Sequence, residues 1–152
     1  MINETLKLSG QVNLVLRDAT GNIKEEREIK NLVVNKGLAY IASRMVGTSK
    51  GVMSHMALGS STTAAAAAQT DILSILGARE SIDSTTITGT NAEKVQYIAA
   101  FEAGDATGAI TEAGIFNAAT GGDMLCRTTF PVVNKAADDT MSVTWTITLA
   151  AQ

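Results

Sequence analysis

The chain has 152 residues, of which 45% are hydrophobic and 18% charged, and its net charge is −3. That length suits one domain with a sizeable core, because chains of about 150 residues bury roughly 68–70% of the surface they expose when unfolded. Lys and Arg are spread without a basic stripe, no apolar stretch reaches about 18 residues, and Met1 to Leu8 lacks a basic region followed by an apolar one; nucleic-acid and membrane partners and a secretory leader are therefore not expected.

The first predicted strand runs from Leu6 to Leu16. Leu6, Leu8, Val12, Leu14 and Leu16 share one parity, and Gly10 sits at the remaining slot, where a bulge or a close backbone approach is expected. Asp18 to Asn22 reads as a hairpin turn, because Gly21 and Asn22 tolerate positive φ. The return strand, Ile23 to Ile29, carries Lys24, Glu25, Glu26, Arg27 and Glu28, a charge density that suits an exposed or edge strand. Leu38, Ile41, Ala42 and Met45 then fall at helical spacing and predict a short helix with that stripe on the sheet.

Val52 to Leu58 reads as a short strand. The Ala64–Ala68 run follows Gly59 to Thr63 and has neither caps nor large apolar residues, so a surface loop or one loose turn is expected. Thr70 to Gly77 predicts a second short helix, with Thr70 as N-cap, Asp71 at the positive end of the dipole and Gly77 as the stop. Arg79 to Ile87 is polar and suits a sheet margin. In Lys94 to Glu102, Val95, Tyr97, Ala99 and Phe101 share a face. Strands at Ile110–Asn117 and Met124–Phe130 flank the turn Ala118–Asp123. In the last run, Met141, Val143, Trp145, Ile147 and Leu149 alternate with Ser142, Thr144, Thr146 and Thr148, giving one apolar face and one hydroxyl face. The sum is a mainly β chain: an antiparallel β-sandwich, jelly-roll-like, with one or two short helices. Residues 1–152 form one domain, with a short N-terminal arm at 1–5.

Signals for chemistry are weak by comparison. His55, the single histidine, has no Gly-x-Ser-x-Gly elbow around it, so a structural or interface role is favoured over nucleophilic catalysis. Cys126 stands alone, cannot form an internal disulfide and reads as a small buried hydrophobe. Asp138-Asp139 and Asp18-x-Thr20-x-Asn22 carry oxygens but no EF-hand pattern, and local turn bonding is the favoured reading. Glu112 lies in a dense apolar pattern, where a salt bridge to Arg127 pinning the terminal sheet is favoured over acid–base work. No phosphate loop or dinucleotide fingerprint is present. No catalytic, cofactor-binding or metal-binding residue is assigned, no cofactor is expected, and the chain reads as a non-enzyme. Trp145 is the expected core anchor.

Five segments together resemble a family of tailed-bacteriophage virion structural proteins. They are Asn31-Leu-Val-Val-Asn-Lys-Gly37 with the helix to Met45, Met56-Ala-Leu-Gly59-Ser-Ser-Thr-Thr63, Thr111-Glu-Ala-Gly-Ile-Phe-Asn117, Phe130-Pro-Val-Val-Asn-Lys135 and Val143-Thr-Trp-Thr-Ile147. Such proteins are described as capsid decoration (cement) proteins or tail-fibre-type proteins. The resemblance implies a β-rich homo-oligomer, commonly a trimer, made in the host cytoplasm and attached to the capsid exterior with the major capsid protein as partner. A charged fraction below the ~25% typical of soluble domains fits a surface covered by a partner or by further copies. The alternatives are a tail or head fibre or adaptor protein and, from another class, a carbohydrate-binding β-sandwich module. Aromatic residues, at 4% of the chain, argue against a stacking platform for sugars.

Overall fold

The computed structural model describes residues 4–151. Nine strands and one α-helix follow in chain order: β1 (Leu6–Arg17), β2 (Ile23–Val33), α1 (Asn35–Met45), β3 (His55–Gly59), β4 (Glu80–Ser81), β5 (Ser84–Thr88), β6 (Lys94–Phe101), β7 (Gly108–Phe116), β8 (Met124–Lys135) and β9 (Thr140–Ala151). The protein is mainly β. Antiparallel pairing joins the strands in the order β4-β3-β7-β8-β2-β1-β9-β6-β5, and the sheet curls into a half-barrel. Of the expected N-terminal arm, residues 1–3 lie outside the described residues, while Glu4 and Thr5 are exposed and precede β1.

Alternation in three neighbouring strands builds one side of the core. Val12, Trp145 and Tyr97 stand abreast on β1, β9 and β6; so do Leu14, Val143 and Ala99, and then Leu16, Met141 and Phe101. Apart from half-buried Tyr97, these side chains are almost wholly removed from water. Met56, Leu58, Ile110, Ala113, Ile115, Cys126, Phe130 and Val133, from β3, β7 and β8, close over them in the same cluster. Trp145 is fully buried, as its parity predicts, and its indole N–H donates to Asn31 Oδ1 at 2.8 Å. Gly10 makes this possible. A Cβ there would fall on the Asn31 amide, 2.6 Å from its Cγ. Neither a bulge nor a close backbone approach occurs at Gly10: what crosses it is the Asn31 side chain from β2, and the irregularity in the β1–β2 register lies at Leu16/Arg17.

The turn from Asp18 to Asn22 forms as expected. Asp18 N–H donates to Asn22 O at 2.9 Å, and Gly21 adopts φ +86°. The charged strand β2 is not an edge in the strand order. It pairs with β8 only through Leu32 and Val33, however, so from Ile23 to Asn31 its ladder partner is β1 alone. Lys24, Glu26, Glu28 and Lys30 point to solvent, while Glu25 and Arg27 pair with each other on the half-buried side.

Two helical expectations need correction. The buried face of α1 is Gly37 and Tyr40, with Ile41 half-buried; Leu38 is 49% exposed and Met45 84% exposed. The cause is Gly37, which lies directly against the Leu125 carbonyl of β8, so the helix seats through its narrowest point and the Leu38/Met45 stripe rotates outward. Thr70–Gly77 is not helical. Its backbone serves the β3 edge instead: Ser60 N–H donates to Ser74 O at 2.8 Å and Leu76 N–H to Leu58 O at 2.9 Å, with a bridge between Gly59 and Ile75. Satisfying an open strand edge outweighed a weak local propensity.

Candidate functional site

The most organised polar group of the protein is built around Glu112 and Arg127, both 0% exposed. β7 and β8 pair with Glu112 opposite Thr129 and Arg127 opposite Gly114, so the two are diagonal neighbours on one face of the sheet, alternating with the core residues Ala113, Ile115 and Cys126. Glu112 Oε2 accepts from Arg127 Nη2 at 2.8 Å and Nε at 3.1 Å, which is the ion pair read from the sequence. The same carboxylate also gathers backbone amides from the long β3–β4 connection. Oε2 accepts from Leu73 N–H at 3.0 Å, and Oε1 from Ser74 N–H at 2.7 Å and Ser61 N–H at 3.2 Å. Burial works to raise the carboxyl pKa. The hydrogen bonds from Leu73, Arg127, Ser74 and Ser61 outweigh it and hold the group ionised below the usual glutamate value.

Arg127 extends the network to the alanine run. Its Nη1 donates to Thr63 O at 3.0 Å and to Gln69 Oε1 at 2.9 Å. Gln69 in turn holds Ala66 N–H at 2.9 Å and donates to Ala64 O at 3.2 Å. The Ala64–Ala68 segment is a surface loop, as expected, and it has a definite task. Ala67 O accepts the Asn35 N–H at 2.8 Å, giving α1 the N-terminal partner that its own Val34 cannot supply. Gly59, opposite Glu112 on β3, clears the space, since a Cβ there would sit 2.5 Å from both Glu112 Oε1 and Ser74 O. With five donors on its two oxygens, Glu112 is saturated, and its role in this arrangement is to fix the connection.

The other residues singled out in the sequence do not gather around this pair. His55 lies at the far end of the β3–β7 pairing, opposite Phe116, and its Nδ1 is 2.8 Å from Ser54 Oγ. Cys126 is fully buried, and its thiol pKa is pushed up by burial, with Asn31 opposing. His55, Glu112 and Cys126 do not line the surface cavities at Lys7–Thr148, at Asn13–Glu28 or at Asp71–Gly121. Asp18 accepts from Thr20 N–H, Thr20 Oγ1 and Asn22 N–H, closing its own turn. Asp139 is held by Lys24 Nζ at 2.7 Å and Ala136 N–H at 2.8 Å. Among the described residues no three His, Cys, Asp or Glu side chains are placed to share a metal ion.

The candidate contact surface is the outer side of α1 and the loop that follows. Met45, Val46 and Val52 are 84%, 81% and 63% exposed, and Leu38 is half in water. Beside them, Asp123 of the β7–β8 hairpin draws in Lys50 Nζ at 3.0 Å and Lys36 Nζ at 3.8 Å, tying both ends of this region to the sheet. The periodic stripe of Leu38 and Met45 was legible in the sequence. Its outward orientation was not, because it depends on where Gly37 meets β8.

Compared with protein-family models, curated proteins and solved structures, the chain gives no match in any of the three.

Proposed function

We infer that the protein is a structural component of a tailed-phage particle, acting as a decoration (cement) protein that binds the capsid exterior as an oligomer. In this reading the homotrimer implied by the resemblance bridges major capsid subunits. Each contact is weak alone, and symmetry multiplies it through effective concentration. The observation that carries the reading is the exposed apolar group of Leu38, Met45, Val46 and Val52 on a segment tied to the sheet. Large side chains gathered in one sequence region and left in water are suited to cover by a partner.

The resembling segments support the same reading. Met56–Thr63 and Thr111–Asn117 hold β3 and β7 together, and Asn31–Met45 supplies the presented helix. Within it, the two legs of the half-barrel are taken as the facing layers of a sandwich. The mechanism is mechanical: added buried area resists expansion of the shell under packaged DNA. The test is co-sedimentation of purified protein with undecorated capsids at micromolar concentration. The expected result is saturable binding that Met45→Asp with Val46→Asp abolishes while the fold is retained. Binding to purified tails with none to capsids would replace this reading with the fibre or adaptor role.

A further inference from the structure

We propose that the outer face of the β2-β1-β9-β6 part of the sheet binds an acidic polysaccharide, by charge and hydroxyl recognition without aromatic stacking. Lys and Arg look scattered in the sequence, but the fold sorts them. Nine of the twelve are engaged through their side chains: Lys24, Lys36, Lys50, Arg27, Arg79 and Arg127 with carboxylates, and Arg17, Arg44 and Lys135 with carbonyls. Lys7, Lys30 and Lys94 make no side-chain hydrogen bond or ion pair among the described residues, and all three line one groove of about 570 Å³.

No carboxylate lines that groove. The nearest in sequence are Glu28, two residues along β2 from Lys30, and Glu93, whose carboxylate accepts Asn91 N–H at 2.8 Å. The chain as a whole carries −3, so the groove is a local reversal of sign.

The pairing register places the groups. Lys30, Gln11, Thr146 and Gln96 stand in one row across β2, β1, β9 and β6. Lys94 is two residues from Gln96 on the same face, and Lys7 four from Gln11. With strands about 4.8 Å apart and about 3.4 Å per residue, the three lysine Cα atoms form a triangle roughly 12–16 Å on a side. That spacing suits successive charges on an extended chain better than one small anion.

The lining decides the chemical class. Gln11, Gln96 and Thr146 both donate and accept, as sugar hydroxyls require. No aromatic and no arginine lines the groove, so it lacks the stacking platforms and forks used for single-stranded nucleic acid. Along the row, the backbones of β1, β9 and β6 are paired on both sides, so a peptide finds no strand edge to extend.

The site is separate from the surface assigned to the capsid, and it is tested on the isolated full-length protein. The measurement is titration calorimetry with an alginate hexasaccharide, a uronic-acid oligomer. A neutral dextran oligomer, oligothymidylate and oligoglutamate of matched charge serve as comparisons. The proposal predicts saturable binding to the uronate that weakens with added salt. It predicts at least tenfold loss in K7Q/K30Q/K94Q and no change in K50Q, whose lysine lies outside the groove. The three substitutions fall on lysines with no side-chain partner among the described residues, and thermal melting confirms that the variant is folded. No uronate binding at millimolar concentration, or binding unaffected by the triple substitution, would overturn the proposal. Equal binding of oligothymidylate or oligoglutamate would overturn the carbohydrate assignment.

Discussion

Gly37→Ala sets local propensity against packing. Alanine in place of glycine inside a helix favours the helical state by about 1 kcal/mol. In this fold the added methyl would lie 2.9 Å from both Cα and the carbonyl carbon of Leu125, and closer still to the carbonyl oxygen. The obstacle is the backbone of β8, which is paired to β7 at Met124 and Cys126 on either side of Leu125 and cannot rotate aside as a side chain would. The Leu125 oxygen also accepts the Val34 N–H at 3.2 Å, so moving it breaks the entry to α1. Restoring normal contact distances requires the helix to lift by about 1 Å, which loosens buried Tyr40. Overpacking of this kind costs about 1–3 kcal/mol, and with a strained hydrogen bond added the net loss after the propensity gain is about 2 kcal/mol. For a chain of this size that lowers Tm by roughly 4–8 °C, readable by calorimetry or circular dichroism. A Tm equal to or above the parent's would refute the seating of α1 on β8 through Gly37.

Other consequences follow from the buried polar groups and the core. Arg127→Met leaves Glu112 charged and under-paired in the interior, and should cost about 3–5 kcal/mol in urea unfolding, whereas Glu112→Leu with Arg127→Met should cost less than the sum of the single changes; a single-variant loss below about 1 kcal/mol would contradict the pairing. Because the folded pKa of Glu112 lies below 4.5, its contribution is fully present above that pH and is lost as pH falls through the lower folded value. Asp139, held down by Lys24 and the Ala136 amide, acts with the same sign, so Glu112→Gln should make the acid decline of Tm shallower without removing it. Trp145→Ala should cost about 3–5 kcal/mol and free Asn31 from its indole partner. Cys126 should stay unreactive to a thiol reagent at pH 8 in the native state and react fully in guanidinium, and rapid native labelling would contradict its burial.

How much of this was legible in the chain depended on the range of the forces involved. Strand β9 and its buried Trp145 follow from period-two alternation, a local property that survives in any sheet context. The turn at Asp18–Asn22 is equally local, and Asp18 closes it with its own side chain. The ion pair of Glu112 and Arg127 was readable because the two residues flank one hairpin. Features decided by partners far along the chain were not. Thr70–Gly77 has acceptable helix signals, but Glu112 and the β3 edge claim its amides and carbonyls. The Ala64–Ala68 run looks featureless until Gln69 and Arg127 order it and Ala67 caps α1. Lys7, Lys30 and Lys94 are dispersed in sequence, and only the register of four strands sets them in one groove. One signal could have been used: Gly59 within an otherwise apolar strand marked a place that needed room, and the carboxylate filling it comes from β7.

The proposed attachment role is tested most directly by cryo-electron microscopy of tailed-phage particles assembled with this protein labelled, compared with particles lacking it. The account predicts added density on the outer capsid surface in symmetric groups of copies, with α1 and the 45–52 loop turned toward the shell. Particles whose capsids carry no such density, or label confined to the tail, would contradict it.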